Sequence, residues 1–201
     1  MRTILLFLSS LLISASAIAA PTILVYGDSL SAGYGLARQD AWPSLLETRL
    51  KDSGYPHRVV NASISGETTA GGLSRLPETL KRQQPQIVIL ELGANDGLRG
   101  LPVNVMQDNL DAMIRSSQKA GAKVLLVGMQ MPPNYGPDYG KKFAGVFPAL
   151  AKQHKTALVP FLFEGFGDKV EAFQADRLHP NAASQPLMLD TVWKQLKPLL
   201  R

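Results

Sequence analysis

The stretch Thr22–Ser31, with the sequence TILVYGDSLS, carries most of the information about the fold. Its first five residues are apolar or β-branched on both faces, which is typical of a strand buried inside a parallel sheet. Gly27-Asp28 interrupts the apolar run, and Ser29 is a residue type that commonly begins a helix. A buried strand that turns directly into a helix predicts a β–α unit at the start of the folded chain.

Four more apolar runs repeat this pattern further along the chain. Together with Thr22–Tyr26, the predicted strands are Arg58–Asn61, Ile87–Leu92, Val124–Met129 and Ala157–Phe161. Each run is short and bounded by glycine, proline or asparagine, as expected of strands buried on both faces. The longer segments between them show helical periodicity.

Three of these helical patterns are clear. Apolar residues recur at helical spacing after Trp42 and again after Met106. A third stripe runs from Leu189 to Leu200, and Pro186 is compatible with it only if that helix begins near Ser184. Strands that alternate with helices predict a single α/β domain, residues 20–201, in which helices cover both faces of a five-stranded parallel sheet.

The N-terminus has the features of a secretory signal peptide. A positively charged start is followed by the apolar stretch Ile4–Ile13 and then by small residues. Ala17-Ile18-Ala19 fits the cleavage pattern, so we expect residues 1–19 to be removed and Ala20 to begin the mature protein. The alternative, a membrane anchor, is disfavoured because the apolar stretch is short and lacks a cationic stop. The sequence therefore predicts a periplasmic or secreted protein.

The composition excludes several classes of site. The chain contains no cysteine, so no thiol nucleophile, thiolate metal site or disulfide is available. The formal net charge is +5, but lysine and arginine are scattered, with no run that would follow a phosphate backbone. We therefore expect no nucleic-acid partner and at most a transient contact with anionic membrane surfaces.

Polar segments follow the predicted strands. In a sheet of this kind, groups that bind or react collect at the carboxyl ends of the strands. Three glycine-containing segments follow the first three strands, and a fourth precedes the last helix. They are Gly27–Ser31, Ser65–Thr68, Gly93–Gly97 and Asp176–Asn181. We expect all four to lie along one edge of the sheet.

Ser29 is ambiguous alone, because a serine at a strand-to-helix turn also makes a good helix N-cap. An attacking hydroxyl needs a base within reach, and the chain has three histidines. His57 lies on the approach to the second strand, at the wrong end of the sheet, and His154 ends a lysine-rich helical stretch. His179 belongs to the fourth polar segment, with Asp176 three residues earlier. These residues predict a nucleophile (Ser29), its base (His179) and a carboxylate that orients the base (Asp176).

Asn95 and Gly66 can complete such a site. An amide side chain can donate a hydrogen bond to an oxyanion, and a glycine lets a backbone N–H approach closely. Each also has the plainer interpretation of a turn residue. A dinucleotide fingerprint is excluded because Arg38 stands where its last glycine should be, and Ser31 breaks the Gly-x-Ser-x-Gly elbow of the larger α/β-hydrolases.

The four polar segments, in this order, resemble the sequence blocks of the SGNH (GDSL) hydrolases over nearly all of residues 22–200. The matching residues are Gly27-Asp28-Ser29-Leu30, Gly66, Gly93-Ala94-Asn95-Asp96 and Asp176-x-x-His179-Pro180. The branch resembled is that of periplasmic thioesterases, lysophospholipases and arylesterases. The resemblance implies a flavodoxin-like three-layer fold and hydrolysis of acyl esters and thioesters without a cofactor or metal. It also implies an oxyanion hole formed by the N–H groups of Ser29 and Gly66 and the side chain of Asn95.

Three residues depart from this branch of the family. Ala94, Glu67 and Arg177 stand where glycine, aspartate and glycine are expected. Arg177 matters most, because a positive φ at this position would strain the loop that carries the predicted base. The departures bear on the rate and the pH profile more than on the identity of the reacting groups.

The expected substrate is a small-molecule acyl ester or thioester, such as an aryl ester, a lysophospholipid or an acyl-CoA-type thioester. Apolar residues on the rim loops could hold the acyl chain, and the candidates are Leu98, Met131, Pro132 and Tyr135. Each could equally be ordinary loop-to-core packing. We expect the protein to act as a monomer.

Three other functions are compatible with parts of the sequence. A carbohydrate O-deacetylase would use the same triad with a preference for acetyl groups. A non-catalytic module that binds lipid or acyl ligands would share the fold, but it would not need the full set of serine, glycine, asparagine, aspartate and histidine. A flavodoxin-type cofactor binder is the third.

Overall fold

The computed structural model describes residues 20–201 and shows one five-stranded parallel sheet. The predicted signal peptide, residues 1–19, lies outside the described residues. The strands are β1 (Thr22–Gly27), β2 (Arg58–Asn61), β3 (Ile87–Glu91), β4 (Lys123–Val127) and β5 (Ala157–Val159). Their order across the sheet is β2-β1-β3-β4-β5, which is the flavodoxin-like order. The predicted fold class is confirmed.

Helices cover both faces of the sheet. They are α1 (Ser29–Ala32), α2 (Trp42–Asp52), α3 (Thr69–Gln83), α4 (Ala94–Leu98), α5 (Val103–Lys119), α6 (Pro137–His154) and α7 (Gln185–Leu196). Helices α2 and α7 pack together on one face, while α3 packs on α5 and α5 on α6 on the other. In the described part of the chain, no helix combines the length and apolar character needed to cross a membrane.

The core explains why the apolar runs form strands. Every residue of β1 and β3 is buried, because helices lie on both sides of these central strands. Trp42 of α2 is fully buried, as are Phe143 and Phe147 of α6, whose rings meet edge to face at 5.6 Å. Packing of this kind holds the carboxyl ends of the strands rigidly, and the loops that carry the polar segments start there.

Two strand ends differ from the prediction by more than one residue. β4 and β5 end at Val127 and Val159, two residues earlier than expected in each case. At this point Gly128 passes so close to the Pro160 carbonyl that a Cβ would lie 2.4 Å from its oxygen, and proline has no N–H to continue a ladder. The last helix begins at Gln185, directly after the residue predicted, with Pro186 in its first turn.

Candidate active site

The polar segments meet where the strand order reverses. In an open α/β sheet, the crevice at this switch point lies outside the carboxyl ends of the two strands on either side of it. Here those strands are β1 and β3, which pair in parallel with Gly27 opposite Glu91. Ser29 follows β1 and Asn95 follows β3, while the loop after β2 brings Gly66 to the same edge.

Ser29, His179 and Asp176 form a continuous chain of hydrogen bonds. The Ser29 Oγ lies 2.9 Å from His179 Nε2, and His179 Nδ1 lies 2.7 Å from Asp176 Oδ2. The helix cap is the preceding residue, because the Asp28 side chain accepts the N–H of Leu30. The plain N-cap interpretation of Ser29 is therefore wrong, and its hydroxyl is left to bond His179.

The carboxylate of Asp176 is fixed by its own loop. Its Oδ1 accepts the backbone N–H groups of His179 and Leu178 at 3.0 and 2.9 Å. These bonds, together with the bond to the His179 ring, hold the pKa of Asp176 down at about 2. Arg177, inside the same turn, has φ +57°, so the left-handed backbone that would favour glycine is present.

Two residues that hold the histidine in place were not predicted from the sequence. The Tyr34 ring lies against the His179 ring, with a centroid distance of 4.5 Å. Gln174 donates its backbone N–H to the His179 carbonyl and its side-chain N–H to the Tyr34 carbonyl, both at 2.8 Å. Neither residue type has a motif of its own, and the two meet only because the loop after α1 folds against the loop before α7.

The two predicted oxyanion donors other than Ser29 lie in the segments that follow β2 and β3. Gly66 has φ +79°, which accounts for glycine at this position, and its N–H donates to no acceptor in residues 20–201. Its carbonyl, which belongs to the following peptide group, accepts a hydrogen bond from Arg99 at 2.9 Å. Asn95 Nδ2 donates to Asp28 Oδ2 at 3.0 Å, so one of its two N–H groups remains available.

Glu67, one of the three departures from the family, anchors the Gly66 loop. Its carboxylate pairs with Arg75 Nε on α3, and Arg75 also donates to the Ala62 carbonyl at 2.8 Å. The Glu67 side chain occupies the space beside Gly71, where a Cβ would clash with its carboxylate. The longer glutamate therefore fits because a glycine faces it.

Three of the four candidate acyl-chain residues lie on or against α4. Tyr135 donates its hydroxyl to the Leu98 carbonyl at 2.9 Å, and Met131 packs on Gly97, where a Cβ would lie 2.4 Å from the sulfur. Leu98, Met131, Pro132 and Tyr135 are all half-buried. Their contact with a substrate remains a prediction.

The other two histidines lie elsewhere. His57 is buried with its Nε2 3.1 Å from Gln86 Oε1, and His154 Nε2 lies 2.6 Å from Asp111 Oδ1. Within residues 20–201, no group of three or more metal-ligating side chains is close enough to hold an ion. A serine hydroxyl on an imidazole that is oriented by a carboxylate is instead an arrangement suited to nucleophilic acyl transfer.

Known proteins are similar to this chain in both sequence and fold. Residues 25–185 match the GDSL-like lipase/acylhydrolase family. The esterase TesA of Pseudomonas aeruginosa is 54% identical over 182 residues, covering 90% of this chain and 90% of that protein. The thioesterase 1/protease 1/lysophospholipase L1 of Escherichia coli K12 is 42% identical over 194 residues, covering 96% and 92% respectively.

A solved structure agrees with this relationship. The psychrotrophic esterase EstA from Pseudoalteromonas sp., inhibited by monoethylphosphonate, superposes with a TM-score of 0.85 at 42% sequence identity. The superposition covers 89% of this chain and 98% of that one. By sequence and by fold, the chain belongs to the GDSL-like lipase/acylhydrolase family.

Proposed function

We propose that this protein hydrolyses acyl esters and thioesters, with Ser29 as the nucleophile, His179 as its base and Asp176 as the residue that orients the base. The observation that carries the proposal is the unbroken chain of hydrogen bonds from Ser29 through His179 to Asp176. Relatives named as an esterase and as a thioesterase and lysophospholipase support the reaction class.

The first step forms an acyl-enzyme. Ser29 Oγ attacks the acyl carbonyl carbon while His179 Nε2 takes the hydroxyl proton. Asp176, ionised throughout the working pH range, keeps the Nδ1–H of the ring and stabilises the imidazolium. The N–H groups of Ser29 and Gly66 and the Asn95 amide donate to the oxyanion that develops.

Departure of the leaving group completes the first step, and the second step releases the acid. His179 gives its proton to the leaving alcohol or thiol, and the carbon–oxygen or carbon–sulfur bond breaks. Water then enters, loses a proton to His179 and attacks the acyl-enzyme through the same oxyanion geometry. The bond between Ser29 Oγ and the acyl carbon breaks, His179 returns its proton to Oγ, and the acid leaves. No step needs a cofactor or a metal ion.

The proposed substrates are aryl esters, lysophospholipids and acyl-CoA-type thioesters. The half-buried apolar side chains of Leu98, Met131, Pro132 and Tyr135 would hold the acyl chain. Leu98 lies on α4, whose first turn carries Asn95, and Met131 and Tyr135 contact this helix. A chain-length series of p-nitrophenyl esters and acyl thioesters tests this proposal. A preference for acetate alone would favour a carbohydrate O-deacetylase with the same triad.

Ser29→Ala tests the nucleophile directly. We expect hydrolysis of short aryl esters to fall by about 10⁶-fold with the fold intact, since the hydroxyl caps no helix. Covalent labelling by an active-site serine phosphonate should be lost at the same time. A purified variant that keeps more than about a thousandth of the wild-type kcat would contradict the assignment, and a wild-type protein that binds acyl ligands without turnover would indicate a binding module.

We also propose that the protein is exported and acts as a monomer. The signal-like residues 1–19 support export to the periplasm or medium. Sequencing of the mature N-terminus should begin at Ala20, and light scattering should give the mass of one chain. A mature protein that retains residues 1–19 in the membrane would contradict cleavage.

A further inference from the structure

A pair of buried carboxyl groups lies directly behind Ser29. Asp28 precedes the serine, and Glu91 ends β3 opposite Gly27. Both carboxyl-bearing residues are 0% exposed. Burying two acids side by side is unfavourable unless hydrogen bonds compensate or one of them stays protonated.

The Glu91 side chain is held under the turn that carries Ser29. Its Oε2 accepts the Ser31 hydroxyl at 2.7 Å and the Asp28 backbone N–H at 3.4 Å, while its Oε1 is buried with no partner in the described chain. Gly27 makes the room, because a Cβ there would lie 2.5 Å from Glu91 Oε2. The Glu91 carboxyl group therefore holds the turn through hydrogen bonds on both sides of Ser29.

Asp28 connects the turn to the other side of the site. Its Oδ1 accepts the Leu30 N–H and its Oδ2 accepts Asn95 Nδ2, each at 3.0 Å. An ionised carboxylate only accepts hydrogen bonds, so Asn95 must turn its NH₂ group, and not its carbonyl, toward Asp28. The second N–H of that NH₂ group can then face a substrate oxyanion.

The two acids differ in how readily they ionise. Burial raises the pKa of both, that of Glu91 well above its usual range and that of Asp28 to about 6. The N–H groups of Leu30 and Asn95 and the facing His179 favour the ionised form of Asp28, while the charge of Asp96 opposes it. Glu91 therefore holds its proton more tightly than Asp28, and Asp28 is the acid of the pair that ionises first.

We propose that Asp28 is a positioning residue, which fixes the orientation of the Asn95 amide, and that a neutral Glu91 lets Asp28 hold its charge beside Ser29. The inference rests on the proposed function, since it assigns Asn95 the role of an oxyanion donor. It also accounts for the identities of Gly27 and Ser31, which the Ser–His–Asp chain does not use.

Asp28→Asn tests the orientation with almost no change in shape. The new NH₂ group would face the NH₂ of Asn95, so the Asn95 amide should turn over and present its carbonyl to the oxyanion site. We expect kcat to fall by at least the 10²–10³-fold typical of losing one donor, with KM nearly unchanged. The exposed Asp168→Asn variant, the matched control, should keep its kcat.

A double-mutant cycle separates this role from others. If Asp28 acts through Asn95, Asp28→Asn should cost no further activity in an Asn95→Ala background. Equal losses in both backgrounds, or no loss in either, would overturn the inference. Near-ultraviolet circular dichroism on each variant checks that the fold is retained.

The protonation state of Glu91 can be measured separately. Infrared difference spectra of wild type minus Glu91→Gln at pH 8 should show the C=O stretch of a protonated carboxylic acid, and a carboxylate band instead would overturn the neutral assignment. The proposed function is tested separately. If Ser29→Ala abolishes hydrolysis and the cycle is additive, only this inference fails; if Ser29→Ala remains active, the proposed function fails first.

Discussion

Three acidic residues precede His179 in the connection from β5 to α7, and replacing them should affect kcat very differently. Asp176→Asn should lower kcat by about 10³–10⁴-fold, because an amide in place of the carboxylate favours the wrong imidazole tautomer. Glu164→Gln and Asp168→Asn change exposed carboxylates of the same connection and should leave kcat within about twofold. Steady-state kinetics on the three variants makes the comparison, and a large loss in either of the last two would move the orienting role away from Asp176.

Residue chemistry explains which parts of the site could be predicted from the sequence. His179 is the only histidine in the four polar segments, and Ser29 lies in the segment that directly follows the first strand, so the two could be paired from the sequence. Asp28, Glu91 and Gln174 act through contacts between segments far apart in the chain. Glu91 in particular lies inside the predicted strand Ile87–Leu92, and nothing in its local sequence indicates that it faces Ser31.

At the scale of elements, the loop between β2 and α3 depends on an ion pair. The side chains of Glu67 and Arg75 are 10% and 23% exposed, so breaking this pair costs more than breaking a surface pair. We expect Glu67→Gln to lower the free energy of unfolding by about 1–3 kcal/mol and kcat several-fold, since Gly66 is the neighbouring residue.

The matched control is Arg115→Gln, which removes an ion pair with Asp111 in which the arginine is 65% exposed. That change should stay within about 0.5 kcal/mol and leave kcat unaltered. Denaturant unfolding and esterase kinetics on both variants provide the test. If Glu67→Gln behaved like the control, the loop would be held by its backbone bonds and by Arg99 alone.

The elements themselves were predicted unevenly. The strands are short apolar runs bounded by glycine, proline or asparagine, so they could be located to within about two residues. Helices α3 and α6 were not delimited, because Pro77 and Pro148 lie inside them and interrupt the periodic signal. Tertiary packing on α5 keeps both helices despite the lost hydrogen bonds.

At the scale of the whole molecule, the sheet order determines the site. Because β1 lies between β2 and β3, the loops carrying Ser29, Gly66 and Asn95 are neighbours at one edge, and the connection from β5 to α7 returns His179 to the same edge. The same order also forces Gly27 and Glu91 to be direct neighbours, so the two buried acids follow from the topology that makes the site.

Burial of the Asp28 carboxyl group should lower the free energy of unfolding at neutral and alkaline pH. Asp28 has an ordinary pKa of 3.8, and burial raises it to about 6 in the folded protein. A raised pKa means that the folded state binds the proton more tightly than the unfolded state, so the stabilisation is complete below pH 3.8 and is lost as the pH rises through about 6. A shift of roughly two units corresponds to about 3 kcal/mol.

Asparagine cannot ionise, so the Asp28→Asn variant should not lose this stabilisation as the pH rises. The free energy of unfolding should be measured with denaturant at pH 4, 6 and 8. The value for Asp28→Asn minus the value for wild type should increase by about 2–3 kcal/mol between pH 4 and pH 8. Asp168→Asn, on the surface, should run parallel to wild type. A parallel curve for Asp28→Asn would mean that Asp28 titrates in its ordinary range. The opposite signs expected for kcat and stability follow from one cause, since the charge that orients Asn95 is costly to bury.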